Sequence, residues 1–446
     1  MRTYQDLFRT PEFTPLFLTS AGQTAALAVS GPALGTLIYT ETGSPLLSGL
    51  AMFGPSLAQV VGATTLLSAA DRLPPRAALT GTALLFALGT ALQAVPGLPV
   101  WAAFALLLGL GTIAAPTGGV RYGLLNEVLT KEGYLLGRSL LNMSAGAAQI
   151  CGFAIGGVLV TALSPRGTLL AGAVLYLASA AVARYGLSRR PPRAAGRPSA
   201  GETWRNNAWL LSSGPRRRVY LALWVPNGLI VGCESLFIPY APRHSGLLFA
   251  VAAFGMLAGD IAIGRFVPRR WRGRLGTPLC LLLAAPYLLF ALHPALPLAV
   301  AAVVLASVGY ASNLLLQERL MALTPEELSG HALGLHASGM LTTQGVGAAL
   351  AGTLAQYTSP PTAMALTATA SLAVTLALGV FRKSRLPRDA RHAHSPRCRS
   401  RPSTAGPSTT PTLRLAIART AATFCRCRGG RGPRPAGGRR YFRNTP

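Results

Sequence analysis

Between residues 14 and 381 the chain repeatedly runs apolar for bilayer-spanning lengths, with short charged or Pro/Gly-rich gaps between the runs. An α-helix needs about 20 apolar residues to cross a ~30 Å hydrocarbon core, and in lipid every backbone polar group must be satisfied within the protein. Runs of this length constrain the fold more than any motif does. Helix must follow helix, and a water-soluble core is excluded. Charged residues make up 12% of the sequence and hydrophobic ones 50%, whereas soluble domains carry about 25% charged residues. The fold class is an all-α polytopic membrane protein.

Twelve spans are predicted, at 14–39, 44–70, 77–95, 99–120, 139–163, 167–187, 219–240, 245–267, 276–292, 296–316, 333–355 and 361–381. Charge tests this count, because cytoplasmic loops hold the excess of Lys and Arg. With the N-terminus inside, the outward loops contain only Arg166 and Arg243. The inward segments carry Arg72, Arg76, Lys131, Arg138, Arg189, Arg190, Arg216, Arg269, Arg270, Arg272, Arg274, Arg382 and Lys383, among others. A missed span would invert this pattern downstream, so both termini are expected on the cytoplasmic face of the cell membrane. The first apolar run exceeds the ~7–15-residue core of a cleaved signal peptide, and none is expected.

The spans group as a six-helix bundle over 1–187, a basic cytoplasmic linker over 188–218, a second bundle over 219–386 and a tail over 387–446. An even number of spans per half inserts both halves in the same direction, as parallel repeats do. Gly137, Gly146 and Gly152 recur as Gly330, Gly339 and Gly345 at identical spacing, at the entries to the fifth and eleventh spans. The Arg-, Pro- and Ser-rich tail is expected to be disordered. Binding to anionic lipid or RNA, or an out-of-frame reading of GC-rich DNA, are its alternative accounts.

The net charge of +28 invites a nucleic-acid reading. The basic residues lie in gaps and in the tail, however, not on an amphipathic face, so no nucleic-acid partner is expected. Cys151, Cys233 and Cys280 sit within apolar runs as small hydrophobes. Cys425 and Cys427 are too close for a C-x-x-C site, and no metal or cofactor is expected.

The stretch "LLSAADRLPPRAAL", residues 66–79, sets Asp71, Arg72 and Arg76 between spans two and three, and "DIAIGRFVPRR" sets Asp260 and Arg265 in the matching place of the second half. In a six-plus-six chain this resembles the major facilitator superfamily, whose signature there is roughly G-x-L-A-D-R-x-G-R-R. Leu67 and Pro74 stand where that family favours Gly, and Pro75 replaces one Arg. "LFRTPEFTPLFLTSAGQ" and "TETGSPLLSGL" resemble the opening of its drug-efflux and siderophore-exporter branch. "GFAIGG", residues 152–157, is similar to the end of the antiporter motif G-P-x-x-G-G, with Phe153 for Pro.

The resemblance covers roughly residues 5–385. It implies twelve transmembrane helices in two pseudo-symmetric six-helix bundles that alternate access to a central cavity. Asp71, Arg72 and Arg76 would then be gating residues, with Arg121 and Glu127 after span four, and Glu318 and Arg319 after span ten, as partners. Asp260 and Arg265 would play that part in the second half. The plainer reading of all these charges is that they fix topology. Spans one, four, seven and ten would line the cavity, offering Gln23, Thr24, Thr112, Trp224, Asn227, Tyr310 and Asn313, with spans three, six, nine and twelve toward lipid. Gly152, Gly156, Gly157 and Gly345 are candidates for close helix packing, as Gly31-Pro32 is for a kink.

Glu234 is the one acid well inside a predicted span, ~22 Å along the helix from Val219 at 1.5 Å per residue. An unpaired carboxylate at that depth is costly and tends to bind a proton, as a proton-coupling site requires. Hydration from an outward vestibule and pairing with Arg243 are the alternatives.

The first functional hypothesis is a secondary transporter that exports small, moderately hydrophobic organic compounds in exchange for protons. A Walker-type phosphate loop is absent from the sequence, which argues against ATP drive. An importer or facilitator of the same fold, or a transport-silent scaffold or sensor, remains open. An enzyme is not expected. The partners would be a small-molecule substrate, protons and the bilayer, and the chain would act as a monomer.

Overall fold

The computed structural model describes residues 4–65, 74–191, 200–325 and 328–379. Asp71 and Arg72 of the expected hinge, and the 387–446 tail, lie outside the described residues. Among those described the chain is helical, without strands. Span one is Phe13–Thr42, span two Pro45–Thr65, span three Pro75–Gln93 and span four Val100–Val128. Spans five and six form the stretch Lys131–Gly186, which turns at Ser164. Span seven is Gly214–Ser235, and span eight is Ser245–Ile261 with a π-helical turn Ala262–Phe266. Span nine runs over Arg269–Ala284 and a 3-10 segment Ala285–Leu292. Span ten is Leu296–Val308 and Ser312–Ala322 joined by Gly309–Ala311, span eleven Ser329–Tyr357 and span twelve Pro360–Leu378. Eight helical stretches among the described residues are long and apolar enough to cross a membrane by length and composition. Spans one and eleven are 30 and 29 residues long but diluted with Ser, Thr, Gln and Gly.

The sequence chemistry explains the boundaries. Gly43 takes φ 65° and donates its N–H to the Tyr39 carbonyl, closing span one in the left-handed cap that favours glycine. Pro45 and Pro75 open spans two and three, and Pro360 span twelve, at positions whose missing N–H costs no helical bond. At the hairpin of spans five and six, Ser164 itself takes φ 80° and Pro165 restarts the helix. The Ser164 hydroxyl accepts from the Gly167 N–H at 3.3 Å and so caps the new helix.

The 188–218 linker is more structured than a basic connector requires. It holds the helix Ala200–Ser212, and span seven begins at Gly214, not at 219. Arg216 explains the early start. Its guanidinium stacks 3.9 Å from the Trp209 ring centroid and donates to the Trp209 carbonyl at 3.1 Å, joining the two helices.

Span one packs on spans five and six, span two on four, and span three on six. In the second half span seven packs on eleven and twelve, and span eight on ten. The halves meet where span two lies on eleven and span five on eight, within one compact unit over Met1–Lys383. Small residues permit the approach. A Cβ on Gly157 would press on the backbone of Gly246, and one on Gly352 on Leu46 and Pro45. Gly49 likewise faces Ser235 and Ala348. All these contacts lie at the end of the bundle carrying the turns near 43, 241 and 358, opposite the start of span one and the end of span twelve. Gly152 and Gly156 instead seat span five against Ala25 and Val29 of span one, and Gly345 seats span eleven against the Leu57 side chain of span two.

Candidate functional site

A cavity of about 410 Å³ lies at mid-length of the spans. Span one contributes Gln23, Thr24 and Ser30, and span two Met52, Phe53 and Gln59. Spans three and six add Gln93 and Tyr176, span four Gly111, Thr117, Arg121 and Tyr122, span five Gln149 and Phe153, and span eleven Leu341 and Gln344. Five amide side chains in a wall otherwise rich in Leu, Phe, Met and Ala give it a mixed polar and apolar character.

Of the cavity residues expected from sequence, Gln23 and Thr24 line this cavity. Thr112, Trp224, Asn227, Tyr310 and Asn313 are not in its wall. The reason is rotation about the helix axis. Gly62 packs on the Thr112 backbone, and the Thr112 hydroxyl bonds back to the Leu108 carbonyl at 2.8 Å. Trp224 Nε1 donates to the His336 carbonyl at 3.0 Å, and Asn227 Oδ1 accepts from Gln344 Nε2 at 3.1 Å. Spans seven and ten thus spend their polar groups on each other and on span eleven, while spans two, three, five, six and eleven complete the wall with one and four. The amides Gln59, Gln93, Gln149 and Gln344 went unremarked in the sequence. Their signal was the placing of costly polar groups in apolar runs.

Glu234 is 8% exposed, and the Tyr310 hydroxyl donates to its Oε1 at 2.9 Å. Among the described residues Glu234 makes no ion pair with Arg243. The carboxyl faces a second chamber of about 20 Å³, lined also by Phe53, Ile150, Phe153, Phe249 and Met256, which is room for about one water. Phe53 and Phe153 line both chambers and so form the partition between them. Phe153 stacks on Phe249 at 6.4 Å between ring centroids. The buried Tyr287 hydroxyl, in the same core, has no hydrogen-bond partner among the described residues.

The expected gating charges separate into pairs near the end where span one starts and span twelve finishes. Glu127 pairs with Arg190 at 3.2 Å, and the same guanidinium reaches Glu12 at 3.0 Å, so one cation after span six holds the ends of spans one and four. Glu318 pairs with Arg272 at 2.6 Å, and Arg272 also donates to the Gly264 and Val267 carbonyls left free by the π-helical turn. Arg265 is exposed and Asp260 half-buried. Arg76 is half-buried in the first turn of span three, and Arg319 half-buried beside Glu318.

Burial raises the Glu12 carboxyl, but hydrogen bonds from Ser188 and Arg190 outweigh it and hold Glu12 below its ordinary value. A lowered carboxylate adds stability above its unfolded value and loses it as pH falls through the folded one. Arg190→Ala is therefore expected to lower the melting temperature slightly at neutral pH and to match the parent near pH 3, about a unit below the ordinary carboxylate range. An equal deficit at both pH values would show that packing, not charge, carries the effect. The pair is half-buried and open to solvent screening, so the shift should be small.

The sequence profile of the Major Facilitator Superfamily matches residues 16–314 and, in an overlapping second match, 240–443. The lysophospholipid transporter LplT of Yersinia pestis is 27% identical over 267 residues, covering 52% of this chain and 64% of that protein. The match thus spans less than two thirds of the relative's length. Among solved structures, a bacterial homolog of the human lysosomal transporter Spinster, in an inward-facing and unoccupied conformation, superposes with TM-score 0.65 at 13% identity, covering 84% of this chain and 96% of that one. The nucleoside transporter NupG superposes with TM-score 0.63 at 14% identity over 83% and 99% of the two chains.

Proposed function

Because the chain belongs to the Major Facilitator Superfamily, we propose that it is a secondary transporter that exports small, moderately hydrophobic organic compounds by alternating access, with protons as the coupling ion. The observation that carries this reading is the mid-bundle cavity with walls from both halves, beside which the halves touch closely at one end. Alternating access requires such an end to part while the other closes. Contacts built on glycine have no interlocked side chains to withdraw. With the termini cytoplasmic, the closed end is extracellular and the described state faces inward. Glu234, desolvated beside this cavity and held by Tyr310, is the proton carrier in this reading.

The test is accumulation of a panel of fluorescent dyes in an efflux-deficient bacterium, with insertion of the chain verified. Accumulation is expected to fall when the chain is present and to recover on adding a protonophore. No change with well-inserted protein would sink export, and a rise would establish uptake. A second reading, a lipid-like amphiphile as cargo, is favoured by the lysophospholipid transporter among the relatives and by the mixed amide and hydrocarbon wall. Displacement of dye export by a lysophospholipid, at concentrations below its micelle formation, would support it.

A further inference from the structure

Among the described residues lining the 410 Å³ cavity, Arg121 alone carries a formal charge. It belongs to span four, and among the described residues it has neither a hydrogen bond nor an ion pair. The nearest acid on the same helix, Glu127, lies about 9 Å further along the axis and is engaged by Arg190. An unpaired cation within a membrane protein is costly, and such residues mark substrate or ion pathways. Here the guanidinium borders a space large enough for an organic molecule.

The surroundings give that space a direction. Beside Arg121, the Tyr122 hydroxyl donates to Asn142 Oδ1 at 2.6 Å, and Arg138 lies 5.1 Å from the Tyr122 ring centroid. The cavity thus has a cationic, hydrogen-bonding end toward the start of span one. Leu107 lies 14 residues earlier on the same helix, about 21 Å away at 1.5 Å per residue. Near it the wall is mostly apolar and uncharged, with Leu34, Met52 and Phe53 beside Thr90 and Gln93. A ligand that satisfied both ends would carry an anionic group at one end and hydrocarbon at the other. Arg suits this task, because its planar fork can give two parallel hydrogen bonds to a carboxylate or phosphate.

We propose that Arg121 anchors the anionic group of the transported molecule, so that the cargo is an amphiphilic organic anion, not a cationic drug. The proposal rests on the transport reading for the word cargo, but its test needs only binding. The protein in nanodiscs of zwitterionic lipid would be titrated with a dansyl-labelled alkyl carboxylate, the matching alkyl phosphate and the matching alkyltrimethylammonium, with empty nanodiscs as background. Both anions are expected to bind at least about tenfold more tightly than the cation, a modest share of what charge-assisted bonds can supply. Arg121→Gln should abolish the preference and Arg121→Lys retain part of it. Equal binding of cation and anions by the parent protein would overturn the proposal, as would a preference that survives Arg121→Gln in protein of unchanged melting temperature. Should Arg121→Gln fail to insert, the parent and Arg121→Lys comparisons decide the same question. Retained anion preference in protein that moves no probe across proteoliposomes would sink the transport reading and leave the anchor standing.

Discussion

Glu234→Gln protein, inserted to the parental level, is expected to lose about tenfold or more in transport driven by a pH gradient while still exchanging labelled for unlabelled substrate at equal pH. The amide has nearly the carboxyl's shape, and its carbonyl can still accept from Tyr310, which donates to Glu234 at 2.9 Å. What it lacks is a site for the travelling proton. The split between driven transport and exchange separates coupling from folding, since a misfolded protein loses both. Proteoliposomes with an imposed pH gradient read the first quantity, and counterflow reads the second. Parental driven transport by Glu234→Gln would remove this residue from the coupling role. Half-buried Asp260 would then be the next acid to replace.

Gly157→Leu is expected to reduce transport about tenfold for a different reason. A Cβ at this position would run into the backbone of Gly246 in span eight, leaving no flexible atom to give way. Overpacking costs about 1–3 kcal/mol, and here the cost falls on the state in which spans five and eight touch. Each 1.4 kcal/mol shifts that equilibrium about tenfold. Spin labels at the exposed Thr40 and Thr358, both at the closed end, should report a longer distance in the variant than in the parent. Gly246→Leu should give the same shift, because it invades the same contact from the other side. An unchanged distance with lost transport would mean that closure does not depend on this approach.

The helices were legible because length and hydropathy need no knowledge of orientation. Among the described residues each predicted span overlaps a helix, and the turns at Gly43 and Ser164-Pro165 fall where "TGSP" and "LSPRG" interrupt the apolar runs. The cavity wall was less legible. Depth can be counted along a span, but facing depends on how each helix is rotated in the bundle. Thr112 and Asn227 are at plausible depths and turned elsewhere, while Gln149 and Gln344 point into the cavity. The Glu234–Tyr310 bond joins positions 76 residues apart, and local spacing does not reveal it. Arg190 counted in the sequence as one more inward charge. Only the folded chain brings Glu12 and Glu127 to the same guanidinium.

The partition made by Phe53 and Phe153 bears on the leakiness of a proton-coupled transporter. An acid in free contact with a wet cavity would exchange protons at every opening, loaded or empty, and would discharge the membrane's gradient without useful work. Beside two aromatic rings, in a chamber of about 20 Å³, Glu234 has room for about one water. If Glu234 carries the coupled proton, its protonation would wait on a movement of the rings. A cargo that displaces Phe153 as it settles would open that route, and an idle protein would keep it shut. Insulation of this kind would let a cell keep the protein in its membrane in the absence of cargo, with little dissipation.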